Sequence, residues 1–367
     1  MSVLVRTSER GDFLKCRQLW YWRWVDRYQP IEEQPALEFG DYVHQALAIY
    51  YQPGRKRGPK PAETFEKIMS ERTDSFNMWS DGEWTKALDL GVGMLERYHE
   101  RWKDADQEYE VISSEQTFEL PIGRVLGERI IYVGTFDGVW RHLPTKKIRF
   151  PEHKTGVSIV TDALALNEQA GAYWAYGPRW LRLQRLLEPD EELDGIIYNF
   201  LRKSIPDSDA HYDEQGRKLN KPKRDALLTL YGTLGRSVPK RVDGKKGVPT
   251  IDAMMEDLGE AAWKASEPSL VQATEFFHRE PVFRGPNEAE MVKRRIKQQV
   301  RDMIVASRDP EEYVYKNPGP QFMPNCRFCS FKDICEVHET GNNWKAMIPA
   351  LYTVWNPYDA HEKVERT

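Results

Sequence analysis

Three residues carry the strongest chemical signal in the sequence: Asp137, Glu152 and Lys154. Asp137 sits in the run Thr135-Phe136-Asp137-Gly138-Val139, and the other two sit in Phe150-Pro151-Glu152-His153-Lys154-Thr155-Gly156. Side chains two apart on a strand share a face. Glu152 and Lys154 therefore project together, and strand pairing can bring Asp137 beside them. Two carboxylates and an ammonium on one face suit an oxygen-liganded Mg²⁺ or Mn²⁺. Such an ion polarises a phosphodiester and generates hydroxide, while a nearby lysine orients the water or neutralises developing charge. Taken alone, the pattern is short and also describes a solvated ion pair.

The second chemical signal is cysteine. Cys326, Cys329 and Cys335 read C-x₂-C-x₅-C, and Cys16 completes the chain's four. A leaderless chain uses such a set for metal or keeps it reduced. Three clustered cysteines and a remote one can close a Cys₄ site, which means Zn²⁺ or an iron–sulfur cluster.

These residues need elements to position them. The runs 130–140 and 148–152, joined by the Pro-containing 143–147, read as a hairpin. Residues 109–120 alternate as an earlier strand, and 195–201 form a buried apolar strand. Before them come an extended arm at 3–8 and a helix over 8–28, with Ser8 as N-cap and Cys16 inside it. A second helix follows over 35–51, then a Gly/Pro/Lys/Arg loop at 53–61. Residues 63–104 read as two helices broken at Asp81-Gly82. Gln169 and Tyr173 lie on a helix that continues to 187. Later come a short helix at 225–234, a helical stretch at 250–266, a strand pair or edge strand over 273–284 and a helix over 287–307. An Asn287/Glu290 capping box would open that last helix. Helices, three strands, a helix and a strand make an α/β core.

The chain has 367 residues with 40% hydrophobic and 12% aromatic content, enough for a packed core and against disorder. Its net charge of −4 excludes a uniformly basic nucleic-acid binder, so any such contact must come from a local patch. Residues 202–247 hold twelve Lys/Arg against six Asp/Glu. They read either as a basic flap over nucleic acid or as a solvated insertion. No apolar run approaches a membrane span, and the first twelve residues lack the apolar core of a signal peptide.

Taken in order, these features resemble the PD-(D/E)xK nuclease superfamily, and within it the RecB-type branch. The matching motifs are Gly40 to His44 (Gly-x-x-x-His), Asp137, Glu152-His153-Lys154-Thr155-Gly156 and Gln169 to Tyr173. His153 stands where that branch usually carries an aromatic residue. The resemblance implies a restriction-endonuclease-like α/β core with a mixed sheet, helical N-terminal elements and a C-terminal iron–sulfur segment. It implies that His44, Asp137, Glu152 and the carbonyl of His153 bind Mn²⁺ or Mg²⁺, with imidazole favouring Mn²⁺. Lys154 would position the water, Gln169 and Tyr173 would touch DNA or buttress the site, and Glu115 would support the ligands from behind.

The cysteines resemble the iron–sulfur members of this branch, AddB and the CRISPR-associated exonucleases. That implies a 4Fe–4S cluster on Cys16, Cys326, Cys329 and Cys335, clamping the chain ends. The expected organisation is a helical region at 1–108, a nuclease core at 109–201, a basic insertion at 202–285 and a cluster-binding segment at 286–367. The expected activity is metal-dependent exonucleolytic cleavage of single-stranded DNA or DNA ends, in the cytoplasm of a bacterium or phage-infected cell. A recombination or adaptation protein is the expected partner. The alternatives are a CRISPR-adaptation accessory nuclease and a non-catalytic DNA-binding recombination module.

Overall fold

The computed structural model describes residues 2–359, apart from 32–34, 72–80, 189–190, 206–210, 212, 214–218, 240, 243–244, 247–248, 269–275 and 320–323. Strand by strand, its main sheet joins β1 (Ser2–Val5), β3 (Tyr109–Val125), β4 (Glu128–His142), β5 (Ile148–Gly156), β6 (Leu193–Arg202) and β9 (Phe277–Phe283). Two small antiparallel pairs stand apart from it: β2 (Tyr28–Pro30) with β10 (Tyr352–Val354), and β7 (Arg241–Val242) with β8 (Lys245–Lys246). The long helices are α3 (Pro35–Tyr50), α4 (Pro61–Glu71), α5 (Asp81–Trp102), α6 (Glu168–Leu183) and α9 (Pro286–Arg308). Shorter ones are α1 (Thr7–Lys15), α2 (Arg17–Trp20), α7 (Arg224–Thr233) and α8 (Ile251–Leu258).

Strand β4 is the axis of the sheet. Antiparallel β3 lines one of its edges for nearly its whole length. The other edge is shared. Parallel β1 pairs with Arg129 to Tyr132, and antiparallel β5 pairs only with Trp140 and Arg141. The sheet is therefore mixed, and that edge of β4 is split open between those two pairings. Buried backbone groups must find partners, and side chains serve there. Tyr173 Oη donates to the Thr135 carbonyl at 2.6 Å, and Asp137 Oδ2 accepts from the His153 N–H at 2.6 Å.

Register is pinned by aromatic packing. Phe118, Phe136 and Phe150 stack across β3, β4 and β5 at 4.4 Å centroid spacing, nearly parallel. Aromatic cross-strand pairs of this kind stabilise a sheet by roughly 0.2–1 kcal/mol each and fix its register. Gly134 leaves room for Phe118, whose ring would lie within 2.7 Å of any Cβ at that position. Tyr173 of α6 packs edge-on against Phe136 and Phe118, so α6 covers this face. The helices α3, α4 and α5 pack against one another, and α3 also meets β3 and β4.

Several sequence expectations shift in the structure. The arm at 3–8 is strand β1, an edge of the main sheet. The helix expected over 8–28 starts at Thr7, after an Arg6 N-cap, and breaks at Cys16, whose backbone is extended. It resumes as α2 and a single π-turn, Tyr21–Val25. The break frees the Lys15 carbonyl, which accepts from the amides of Asn317 and Asn325 at 2.9 and 3.0 Å. A tertiary partner has thus overridden local helical periodicity. Asp81-Gly82 opens α5, and the expected apolar position Phe76 lies outside the described residues. The α9 cap falls two residues earlier than expected: Gly285 N–H donates to the Glu288 carboxylate and Pro286 takes the first helical position.

The chain packs as two compact units. Met1–Lys154, Thr161–Asn199 and Arg279–Thr367 form the first. Thr155–Val160 and Phe200–His278 form the second, whose core joins Leu227 and Tyr231 of α7 to Met254 and Leu258 of α8. Of the basic residues expected at 202–247, Arg217, Lys218 and Lys240 lie outside the described residues.

Candidate active site

A cleft of about 500 Å³ opens over the split in β4, lined among others by Thr135, Asp137, His44, Glu115, Gln169 and Tyr173. His44 comes from α3, where Asp41 and Gln45 also face the cleft, one helical turn apart. Its Nδ1 lies 3.5 Å from Asp137 Oδ1. Burial alone would lower the His44 pKa, but the hydrogen bond and charge of Asp137 overcome it and the net shift is upward. Asp137 is itself desolvated, yet its pKa falls, because His44 and the His153 amide stabilise the anion.

Glu115 occupies a strained position. Ser114 pairs with Gly138 and Gln116 with Phe136, so Glu115 of β3 lies opposite Asp137 of β4. Its φ of +46° is left-handed, a conformation that costs a non-glycine residue on the order of 1 kcal/mol or more and clusters at functional sites. Among the described residues, His44, Glu115 and Asp137 are the group whose ligand-capable atoms all lie within 4.8 Å of one another. Glu115, expected behind the ligands, thus brings its carboxylate among them.

Glu152 and Lys154 arrive from the other side. They share the α6 face with Phe150, whereas Asp137 and His153 meet the α3 side, so the acids converge at the split edge rather than on one sheet face. Glu152 is only 1% exposed, and Lys154 Nζ ion-pairs with its Oε1. Burial, then repulsion from Asp137, push the Glu152 pKa up to about 7 against the pull of Lys154. A buried carboxylate is costly unless a cation completes it; Lys154 supplies one, and the free Oε2 would suit a metal as well.

A directed relay holds Lys154. Its Nζ donates to Gln169 Oε1 at 3.2 Å, Gln169 Nε2 donates to Tyr173 Oη at 2.8 Å, and Tyr173 donates to the Thr135 carbonyl. Gln169 and Tyr173 are one turn apart on α6, which explains their four-residue spacing. They buttress the lysine.

His153 is buried on the α3 side. Its ring stacks on Tyr51 at 5.7 Å, and its Nδ1 accepts from Asn199 Nδ2 at 2.7 Å. Asn199 Oδ1 accepts from Arg279 at 3.3 Å, which fixes the amide's orientation. Arg279 in turn pairs with buried Asp106 at 2.6 Å and reaches Tyr51 and Tyr98. Burial pulls the His153 pKa down to about 3, so the ring is neutral. Sequence reasoning missed this support. Asn199, a polar residue inside an apolar strand, was its one visible sign.

A profile of the PD-(D/E)XK nuclease superfamily matches residues 8–336. The chain belongs to the PD-(D/E)XK nuclease superfamily. The match runs from the start of α1 to the helix bearing Cys335, and the mixed sheet flanked by helices is the α/β PD-(D/E)XK fold. Membership implies nuclease activity, and the superfamily's nucleases use divalent metals such as Mg²⁺ or Mn²⁺. Comparison with curated proteins finds no match. Among the described residues, no helix is long and apolar enough to cross a membrane.

A second cavity of about 350 Å³ in this PD-(D/E)XK chain is lined by Cys16, Cys326, Cys329 and Cys335. Leu19, Trp22, Phe331, Ile334 and Tyr352 form the apolar core against which Cys16, Cys329 and Cys335 pack. Asn317 N–H donates to Cys16 Sγ at 3.4 Å. Burial raises the Cys329 thiol and pushes Cys335 up to about 11.

Proposed function

We propose that the chain is a Mn²⁺- or Mg²⁺-dependent deoxyribonuclease of the RecB-type iron–sulfur branch, acting as an exonuclease on single strands or DNA ends. The observation that carries this is the convergence of His44, Glu115 and Asp137 within 4.8 Å of one another, beside a buried Glu152 ion-paired with Lys154.

In this reading His44, Asp137 and Glu152 hold the ion, with the His153 carbonyl, and Glu115 joins them. A bound Mn²⁺ or Mg²⁺ supplies charge against the scissile phosphodiester and lowers the pKa of a water in its shell. Lys154, held by Gln169, keeps an ammonium where the nucleophile is oriented and negative charge develops. Neutral, buried His153 adds no positive charge, so its main-chain groups act alone. His44 must shed its proton to serve as a ligand.

The cysteines fit a 4Fe–4S cluster. All four line one cavity, and a Cys₄ set of this kind suits such a cluster. The cluster's role here is to clamp the first and last segments of the chain. A recombination or adaptation protein is the partner this branch suggests.

The test is an anaerobic assay on end-labelled single- and double-stranded DNA with Mn²⁺, Mg²⁺ or EDTA. Mononucleotide release from labelled ends, abolished by EDTA, is expected. Products cut only internally would overturn the exonuclease assignment, and metal-independent cleavage would overturn the site.

A further inference from the structure

We infer that a groove between the β3–β4 turn and α9 binds the phosphodiester backbone of a nucleic acid away from the scissile bond. The groove measures about 590 Å³ and is lined by Arg124, Lys293, Arg294, Lys297 and Arg301, with Glu290 as its one acid. In a chain of net charge −4, five cations against one carboxylate are a local positive field. The inference deepens the nuclease reading and rests on it.

The helix explains how the charges gather. Positions 290, 293, 294, 297 and 301 recur every three or four residues and share one face of α9. The opposite face, with Val292, Ile296, Val300 and Met303, is buried. Ion pairs account for some cations of α9, Lys293 of the groove among them, but not for all of the groove's cations. Lys293 meets Glu290 at 2.7 Å, Arg295 meets Glu168 and Arg308 meets Glu128. Among the described residues, Arg294, Lys297 and Arg301 form no ion pair. Arg124, Val125 and Leu126 form the strand side.

The groove is tied to the site. Arg295 Nε lies 2.7 Å from Glu168, the residue before Gln169 of the Lys154 relay. Along β4, Glu128 at the turn and Asp137 are nine residues apart, which bounds the separation at about 30 Å. One duplex spans that in about nine base-pair steps at ~3.4 Å each. A polyanion held at the cleft therefore extends far enough to meet the groove. Unpaired, exposed cations suit phosphates, since each contact releases condensed counterions.

The experiment is fluorescence anisotropy with labelled single strands and duplexes, each about thirty nucleotides long and so well beyond the nine-step span. It is run in EDTA across a salt series. Wild type is compared with Lys297→Glu/Arg301→Glu and the milder Lys297→Gln/Arg301→Gln, both checked by thermal melting. The reversal should weaken binding about tenfold or more, and the duplex salt slope should flatten by roughly 0.9 per lost contact. Cleavage of an oligonucleotide too short to reach the groove should keep its wild-type rate. A folded variant with wild-type affinity and slope overturns the inference and leaves the nuclease reading standing. Loss of binding to phosphatidylserine vesicles with DNA affinity intact also overturns it. A wild type that neither binds nor cleaves nucleic acid overturns both.

Discussion

The N–H of His153 donates to Oδ2 of Asp137 at 2.6 Å, while His44 Nδ1 sits 3.5 Å from Oδ1 of the same carboxylate. Asp137 therefore joins two jobs: it holds β5 against the split edge of β4, and it gathers the candidate ligands. Asp137→Asn keeps an acceptor for the amide but removes the charge. The protein should fold, bind metal more weakly and cleave about 10²-fold more slowly or worse. Isothermal titration with Mn²⁺ and a cleavage assay check this. Unchanged metal affinity would remove Asp137 from the ligand set.

Lys154 is held from both sides, by Glu152 and by Gln169. Lys154→Ala should lose on the order of 10²–10³ in cleavage rate, because preorganised charge is lost, with DNA affinity retained. Single-turnover rates and anisotropy separate the two. Gln169→Ala should show a weaker form of the same defect, since it acts only through the lysine. Near wild-type cleavage by Lys154→Ala would refute the assignment.

Glu152 gives a pH signature. Its folded pKa, pushed up to about 7 by burial, exceeds the ordinary carboxylate value of 4.5. Between these values the folded state binds more protons than the unfolded state, so this group's contribution to stability falls as pH rises from about 4.5 to about 7. Denaturant unfolding in EDTA should show that decline. Glu152→Gln should flatten it and gain stability above pH 7, on the order of 1–3 kcal/mol, while losing cleavage. A variant with the wild-type pH slope would mean Glu152 is not ionising in the buried state.

His44 predicts the opposite sign for metal. Asp137 holds the imidazole's pKa above its usual value despite burial, and the proton competes with the ion. Mn²⁺ affinity should rise as pH increases through the histidine range. His44→Ala should bind Mn²⁺ roughly tenfold or more weakly and lose much of that pH dependence. Retention of both would make His44 structural.

Much of the fold and the candidate site was legible because local signals agree there. Alternation marked β3, apolar runs about a Pro-containing turn marked β4 and β5, a continuous apolar run marked β6, and a two-residue spacing joined Glu152 to Lys154. The four-residue spacing of Gln169 and Tyr173 likewise survives as a helical turn. What stayed hidden depends on partners far along the chain. The break at Cys16 rests on Asn317 and Asn325, and no local pattern announces it. Glu115 was expected only behind the ligands, and no local pattern announced the left-handed backbone at this position, opposite Asp137. The network behind His153 draws on Asp106, Asn199 and Arg279, three residues from separate elements. The basic groove eluded composition because residues 202–247 attracted attention by density of charge, whereas α9 concentrates its charge by periodicity.

The cysteine cavity yields the last prediction. Cys16 terminates α1 in extended geometry, Cys326, Cys329 and Cys335 lie across the cavity, and the apolar core of Trp22, Phe331, Ile334 and Tyr352 backs them. Trp355 Nε1 adds a bond to the Arg23 carbonyl at 3.3 Å, so the first and last described segments meet here. Purified without oxygen, the protein should be brown and carry about four irons per chain with sulfide. Cys16→Ser should lose iron although it stands far from the other three in sequence. It should also melt roughly 5 °C lower or more and be cut sooner by protease near both ends, because the ligands close a loop almost as long as the chain. Cleavage should fall less than iron content, since none of the four cysteines lines the cleft that holds His44 and Asp137. A colourless protein with one zinc would replace the cluster with an ion and leave the nuclease site untouched. A Cys16→Ser protein with full iron would remove Cys16 from the ligand set, and the extended break in the first helix would then serve packing alone.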